Sequence, residues 1–409
     1  MTDSQALNEQ TVIDYIKQTS VFSHIFDGND DLKSQQIAEG NVNLLFRVSS
    51  EHDPIHKSVI VKQALPYAWR YPDFKMPLDR SRIEYEVLTI EGRYCPQQVP
   101  EIYHFDEEKH ILIIEDLNQH LVMREGLMKQ IRYPLVANHI GTFMARTLFY
   151  TSDLYLSSGE KKAMVPKFIN PVLCKVQEDL VFTQPYMDHP NNRWSKLLEP
   201  QVRQIHQDDD LRSEIFELKE LYMTHAQALI HNDLHTGSIM LNEHETKVVD
   251  PEFAFFGPIA HDIGSYIANL ALSYASQEFH ARDETVRKEY RLWLAQLVKD
   301  TWRVFENEFL TLWENEGNDD WPSPSFRKKY IQQLLQETLG FGAAEMLRRL
   351  IGMAHVHDFW TIDNEEIRAI SESIGINIAV NWLKNRRKVF SIDEAVEMML
   401  ESKSSYPFI

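Results

Sequence analysis

His231-Asn232-Asp233-Leu234-His235, followed by Val248-Val249-Asp250-Pro251-Glu252, is the part of the 409-residue chain that decides its reading. Between the two motifs, Ile239 to Asn242 and Thr246 to Val249 are short strand-like runs around Glu243–Glu245, which predicts a hairpin. Two acidic motifs 17 residues apart, one on a loop and one at the end of a hairpin, match the needs of phosphoryl transfer. One carboxylate has to sit beside the attacking hydroxyl and take its proton, a role that fits Asp233. Others have to hold a Mg²⁺ that bridges phosphate oxygens, which fits Asp250 and Glu252. Pro251 fixes φ between those two acids and narrows how they are presented. Either motif alone reads equally well as a helix cap or a solvated loop. Both together, in this order around a hairpin, point to chemistry.

Outward from this centre, the chain divides into two parts. Residues 9–26 read as an amphipathic helix with Val12, Tyr15, Ile16 and Val21 on one face, capped by Asp3 or Asn8. Val42 to Val48 and Ser58 to Gln63 read as strands, Asp79 to Tyr94 as a helix, and His110 to Glu115 as a third strand. Beyond this, helical patterns dominate: Leu135 to Tyr150, Leu211 to Leu229, Thr285 to Glu314, Lys328 to His357 and Asn364 to Lys384. The apolar run from Ile259 to Ala275 is interrupted by His261 and Asp262 and reads as a buried helix rather than a membrane span. The expected fold class is α+β: a nucleotide-binding lobe of β-sheet plus helix over 1–117, and a larger, mainly helical catalytic and substrate-binding lobe over 118–409.

The nucleotide end is written less plainly. A covering loop needs backbone N–H groups close to phosphate oxygens, and Ala38-Glu39-Gly40-Asn41-Val42-Asn43 offers a single glycine, Gly40. Lys62 lies at an alternate position of its strand, where an ammonium can reach the α- and β-phosphates. Glu84 on the following helix is its expected partner, with Glu86 as runner-up. Glu115, Asp116 and Leu117 end the third strand where an adenine can pair with main chain. His231 and His235 have the i, i+4 spacing of helix-borne metal ligands, but Asn232, Gly237 and the adjoining strand predict a loop. His231 is expected to brace it. Arg348 and Arg349 lie late in an apolar helix and face different directions, so at least one turns toward the buried side or a cleft. The alternative is a C-terminal charge complementing the helix dipole.

Composition bounds the rest. A net charge of −19 and a pI of about 5.3 leave no basic footprint for duplex nucleic acid, so no nucleic-acid partner is expected. With 43% hydrophobic residues the chain can bury a sizeable core. Cys95 and Cys174 have no partner at metal-ligand spacing and read as thiols of a reducing cytoplasm. Met1 to Gln10 shows no basic or apolar leader pattern, so neither secretion nor a membrane is expected.

At this point the residues resemble a known family. The chain is similar to S-methyl-5-thioribose kinases, within the protein-kinase-like and aminoglycoside-phosphotransferase-like group. The resemblance runs through G-N-V-N-L-L-F at 40–46, I-V-K-Q-A-L-P-Y at 60–67, L-D-R-S-R-I-E at 78–84 and E-D-L at 115–117. It continues in F-I-N-P at 168–171, H-N-D-L-H-T-G-S-I at 231–239, D-P-E-F-A-F-F-G-P-I at 250–259 and the Arg348-Arg349 segment. It implies a two-lobed protein-kinase-like fold, ATP and Mg²⁺ as cofactors, a small sugar as substrate and a homodimer. By position, Gly40, Asn43, Lys62, Glu84 and the 115–117 segment would hold ATP, and Asp250, Pro251 and Glu252 would hold Mg²⁺-ATP. Asp233 would meet the sugar hydroxyl and Arg348 or Arg349 would contact the sugar. The implied reaction is phosphorylation of the 1-hydroxyl of S-methyl-5-thioribose in methionine salvage. Rivals are a kinase for an aminoglycoside, choline or homoserine, and a non-catalytic ATP-binding regulator. Where wider relatives carry a metal-binding Asn, this chain has Ser238, which shifts the second metal contact to Glu252. Asn232 stands where the family usually has Gly, and Glu39 where it has Asp. The segment 72–78 lacks the family's tryptophan, leaving Phe74 or Met76 as stand-ins.

Overall fold

The computed structural model describes residues 6–28, 30–37 and 42–407. It divides into two compact units, one formed by Met1–His120 with Lys247–Ala254 and the other by Leu121–Thr246 with Phe255–Ile409.

In the first unit, α1 (Glu9–Lys17) and α2 (Ser20–Ile25) replace the single helix expected over 9–26. Asn8 caps α1 in a reciprocal capping box with Thr11. The helix stops because the Gln18 and Thr19 N–H groups turn back to Tyr15 and Ile16 carbonyls. The strands are β1 (Leu32–Gln36), β2 (Leu44–Ser50), β3 (Ser58–Gln63), the small hairpin β4 (Tyr67–Ala68) and β5 (Tyr71–Lys75), then α3 (Arg80–Tyr94), β6 (Ile102–Asp106) and β7 (Ile111–Glu115). The main sheet runs β1-β2-β3-β7-β6, every neighbour antiparallel. Alternation sorts its residues by face. Phe46, Val48, Val59, Val61, Ile111 and Ile113 join Val12 and Ile16 in one core. Lys62 has the opposite parity to Val59 and Val61, and this turns it to the face that carries α3.

The second unit opens with β8 (Leu121–Val122), α4 (Met123–Met128), α5 (Val136–Tyr150), α6 (Ser158–Met164), α7 (Pro171–Phe182), α8 (Glu199–Gln207) and α9 (Asp209–Thr224). Helix α9 stops at Thr224, short of the expected Leu229, because Ala228–Ile230 is needed as strand β9. Then come β10 (Ile239–Leu241), which pairs with β8, and β11 (Thr246–Val248), which carries the chain across the junction at Lys247. A turn closed by the Asn242 N–H on the Glu245 carbonyl (3.0 Å) joins β10 to β11. After β12 (Phe255–Gly257), paired with β9, the chain is helical: α10 (Ile259–His280), α11 (Glu284–Glu316), α12 (Pro324–Ile351), α13 (His357–Trp360), α14 (Glu365–Asn385) and α15 (Ile392–Glu401). Helix α12 ends at Ile351, six residues before the expected His357. No helix among the described residues is long and apolar enough to cross a membrane.

Helix α10 is buried on all sides from Ile259 to Gln277 and forms the axis of this unit. It approaches α12 at Gly264 and Gly342. A Cβ on Gly264 would lie 2.6 Å from the Thr338 carbonyl oxygen and 2.8 Å from the Gly342 nitrogen, both rigid backbone atoms. Gly264→Ala gains helix propensity but has to force the helices apart. The expected result is a net loss of roughly 1–3 kcal/mol, read as a lower thermal midpoint. An unchanged or raised midpoint would show that this crossing has slack.

Candidate active site

In the first unit the functional side chains surround Lys62. Its position on β3 points it at α3, where its Nζ lies 2.5 Å from Glu84 Oε1, and it also contacts Asp250 Oδ1. Glu86, the runner-up partner, instead pairs with Arg82 at 2.9 Å. Lys62 is buried, and burial alone would depress its pKa. The carboxylates of Asp250, Glu84 and Glu252 outweigh burial and hold the ammonium above its usual range. Glu84 is pushed up to about 7, chiefly by burial, with Lys62 opposing and Asp250 and Glu252 adding to the rise.

Asp250 adopts the left-handed conformation at φ 66°, uncommon for a residue with a side chain, and is followed by a 3₁₀ turn over Pro251–Phe253. That turn aims the acids differently. The Asp250 side chain is 53% exposed, while Glu252 is buried. Glu252 accepts from Asn43 Nδ2 at 3.0 Å and faces Arg80 Nε at 3.2 Å. Arg80 Nε also reaches Asn43 Oδ1 at 3.1 Å, closing a triangle. Burial raises the Glu252 pKa, the cations Arg80 and Lys62 oppose it, and Asp250 adds to it.

Arg80 is the residue sequence reasoning passed over. It is fully buried in the first turn of α3, where the helix dipole disfavours a cation. That local conflict, within the quoted L-D-R-S-R-I-E, was the available signal. Three carboxylates (Glu84, Asp250, Glu252) thus face two cations (Lys62, Arg80). The oxygen donors and the excess negative charge suit a hard divalent cation that takes one or two carboxylates and completes its shell with phosphate oxygens and water. No cluster of three or more His, Cys, Asp or Glu converges as a preformed cage among the described residues.

At the end of β7, Asp116 is held by Arg47 at 2.8 and 3.0 Å, and Glu115 accepts the Glu101 N–H at 3.1 Å. Leu117 is buried. The acidic side chains of this segment serve internal pairs. Gly40 and the loop 38–41 lie outside the described residues. Met76 is a core residue at 5% exposure, whereas Phe74, at 45%, faces solvent from β5.

In the second unit, the loop between β9 and β10 carries Asp233. Asp262, in the first turn of α10, accepts the N–H groups of His231 (2.6 Å) and Asn232 (2.8 Å) on its two oxygens. In the sequence it looked only like an interruption of an apolar run. Asn232 has φ 66°, a left-handed conformation that glycine adopts without steric cost and asparagine tolerates better than most residues. The buried amide offsets the strain: Tyr222 Oη donates to its Oδ1 at 3.1 Å, and Gln177 Nε2 donates to its carbonyl at 2.8 Å. His231 Nδ1 accepts the Asp233 N–H at 3.3 Å, the brace expected of it. The Ser238 hydroxyl donates to the Asp233 carbonyl at 2.9 Å.

The Asp233 carboxylate is engaged on both oxygens. Oδ1 lies 3.2 Å from Arg348 Nη2 and 3.6 Å from Arg349 Nη2. Both arginines are buried, more than the one inward-facing residue the sequence required. Oδ2 lies 3.4 Å from His235 Nε2. His235 Nδ1 accepts the Gly237 N–H at 2.9 Å, which puts the ring proton on Nε2, facing Asp233. Burial lowers the His235 pKa, against the pull of Asp233, and keeps the ring neutral. For Asp233, burial pulls upward, but His235, Arg348 and Arg349 prevail and hold the carboxyl well below the usual range.

The chain as a whole is similar in sequence to known proteins. The phosphotransferase enzyme family (APH) matches residues 34–293. Methylthioribose kinase 1 of Oryza sativa subsp. japonica is 38% identical over 95% of this chain and 94% of its own length. Methylthioribose kinase of Geobacillus kaustophilus (strain HTA426) is 36% identical over 93% of each. Among solved structures, a glucosamine kinase (crystal form A) covers 94% of this chain and 82% of its own at a TM-score of 0.49 and 11% identity. With identity of this level sustained along nearly the whole of both sequences, the chain belongs to the methylthioribose kinases, within the phosphotransferase enzyme family (APH).

Proposed function

We propose that this enzyme transfers the γ-phosphate of ATP to the 1-hydroxyl of S-methyl-5-thioribose, a step of methionine salvage in the cytoplasm. The observation that carries the reading is Asp233, held ionised between a neutral imidazole and two buried arginines, in a chain whose relatives are named methylthioribose kinases. Arginine donors beside a carboxylate suit a neutral polyol better than a cationic acceptor such as choline.

In this reading the first unit holds the nucleotide. Lys62, fixed by Glu84, provides a cation for the α- and β-phosphates. Asn43, Gly40 and the main chain of 115–117 hold the rest, and Phe74 takes the covering role of the absent tryptophan. Asp250 and Glu252, spaced by Pro251, hold Mg²⁺, which when bound offsets charge on the β- and γ-oxygens. The second unit holds the sugar. Arg348 and Arg349 donate to its hydroxyls, and Asp233 accepts the hydrogen bond of the attacking one and later its proton. Positioning and fixed charge supply most of the acceleration. The homodimer implied by family resemblance belongs to the same proposal.

ADP release by purified protein, measured against 5-methylthioribose, ribose, choline, homoserine and kanamycin, tests the substrate. Turnover with another acceptor and none with 5-methylthioribose would sink the sugar assignment. Asp233→Asn is expected to keep nucleotide affinity while losing turnover by about 10²–10⁴-fold; near-normal turnover would remove Asp233 from the chemistry. For Asp250→Ala, titration calorimetry should show that Mg²⁺ no longer strengthens ATP binding. If magnesium still does so, the metal has been assigned to the wrong carboxylate.

A further inference from the structure

Arg348 and Arg349 are consecutive residues of α12, and successive side chains on a helix diverge by about 100°. Both nevertheless bring an Nη2 atom to the same oxygen, Asp233 Oδ1. Glu345 reconciles the two facts. It lies three residues before one arginine and four before the other, the two spacings at which helical side chains meet. Its Oε2 is 2.6 Å from Arg348 Nε, and its Oε1 is 2.8 Å from Arg349 Nε and 3.4 Å from Arg348 Nη2. Arg349 donates to Glu345 from Nε, whereas Arg348 Nε is in ion-pair contact without hydrogen-bond geometry and donates to it from Nη2, so one carboxylate holds both guanidinium groups. Gln177 completes the hold on Arg348, accepting from Nη1 at 2.8 Å while its own amide donates to the Asn232 carbonyl. Arg349 Nη2 is buried without a hydrogen-bond partner.

The distances show which acid holds the arginines. Both are closer to Glu345, at 2.6 and 2.8 Å, than to Asp233, at 3.2 and 3.6 Å. Glu345 is itself buried and ionised, since the two arginines overcome the upward pull of burial. Nearby, Arg124 faces the buried Asp358 at 3.2 Å, so three arginines meet three carboxylates and the cluster is balanced. Remove the charge of Glu345, and Asp233 is the one carboxylate left in ion-pair contact with the two buried guanidinium groups among the described residues, Asp358 being paired with Arg124. They would close onto it as a tight pair, because buried cations have no better partner.

We propose that Glu345 is a positioning residue that competes with Asp233 for both arginines, keeping Oδ1 available to the acceptor hydroxyl and the Nη groups available to the acceptor's other oxygens. The proposal rests on the acceptor-site reading above and assigns Glu345 no contact with substrate.

Glu345→Gln is the primary test, because it keeps the shape and removes the charge. It is expected to lower kcat by 10-fold or more and raise the KM of the acceptor several-fold, with the KM of ATP changed less than two-fold. Glu345→Asp, which restores a carboxylate one methylene shorter, should recover part of the loss. Kinetic constants within two-fold of wild type, or equal losses for acceptor and ATP, would overturn the proposal. The comparison uses whichever hydroxyl compound the wild-type enzyme phosphorylates, so a wrong sugar assignment shows in the wild type and leaves the variant informative. A crystal structure of Glu345→Gln gives a readout independent of turnover. Arg349 Nη2, now 3.6 Å from Asp233 Oδ1, should close to hydrogen-bonding distance beside Arg348, and an unmoved Arg349 would refute the idea.

Discussion

A charge removed from water costs several kcal/mol unless an opposite charge and hydrogen bonds answer it at close range. Each unit of this chain is organised around that constraint. In the first, Lys62 is buried only because Glu84 and Asp250 meet it, and Arg80 is buried only because Asn43, Glu252 and two carbonyls meet it. In the second, Asp233 is met by His235 and two arginines, which are in turn met by Glu345. The elements that supply these groups are fixed by ordinary packing: alternation of apolar residues places Lys62, and the helical register of α12 places Glu345 beneath both arginines.

The two units differ in how their charges balance. Around Lys62 the acids outnumber the cations among the described residues, and burial together with the neighbouring acids raises Glu84 and Glu252. Around Asp233 acids and cations match, and the acids Asp233 and Glu345 lie below their ordinary values. In the function we propose, the excess of negative charge would suit a divalent ion with its phosphates, and the matched cluster a neutral polyol. The chain's overall acidity has little bearing on either, since exposed charges are screened within about 10 Å at ordinary salt.

Much of this was legible in the sequence, and the misses share a cause. Asp233, Asp250 and Glu252 stand in motifs whose order and spacing are rarely accidental, and Glu84 as the partner of Lys62 follows from helix phase. Strand β1 was missed because Leu32-Lys33-Ser34-Gln35-Gln36 has no apolar alternation; it is an edge strand made by its ladder with β2. Strand β6 exists because β7 needs a partner on its outer side. The single helix expected over 9–26 ignored two N–H groups that turn back at Gln18 and Thr19. Asp262 reads in the sequence only as an interruption of an apolar run, and Arg80 and Glu345 drew no reading, although each breaks a local rule: a cation at a helix N-terminus, an acid in a buried helix. Local rules name such residues as anomalies, and only tertiary partners separated by many residues give them a purpose.

If Asp233 is the base we propose, its strength follows from its surroundings and constrains the order of events. A general base works best when its pKa lies near the working pH, and Asp233 is held far below that. It therefore cannot strip a sugar hydroxyl before the phosphoryl group arrives. In a loose transition state the attacking oxygen becomes acidic only as its bond to phosphorus forms, so a weak but well-aimed acceptor suffices. Aim is what the loop provides. Asp262 fixes the two residues before Asp233, Ser238 fixes its carbonyl, and His235 fixes one carboxylate oxygen, while the other faces the two arginines. The site sacrifices basicity for orientation, and chemistry driven by positioning can bear that loss.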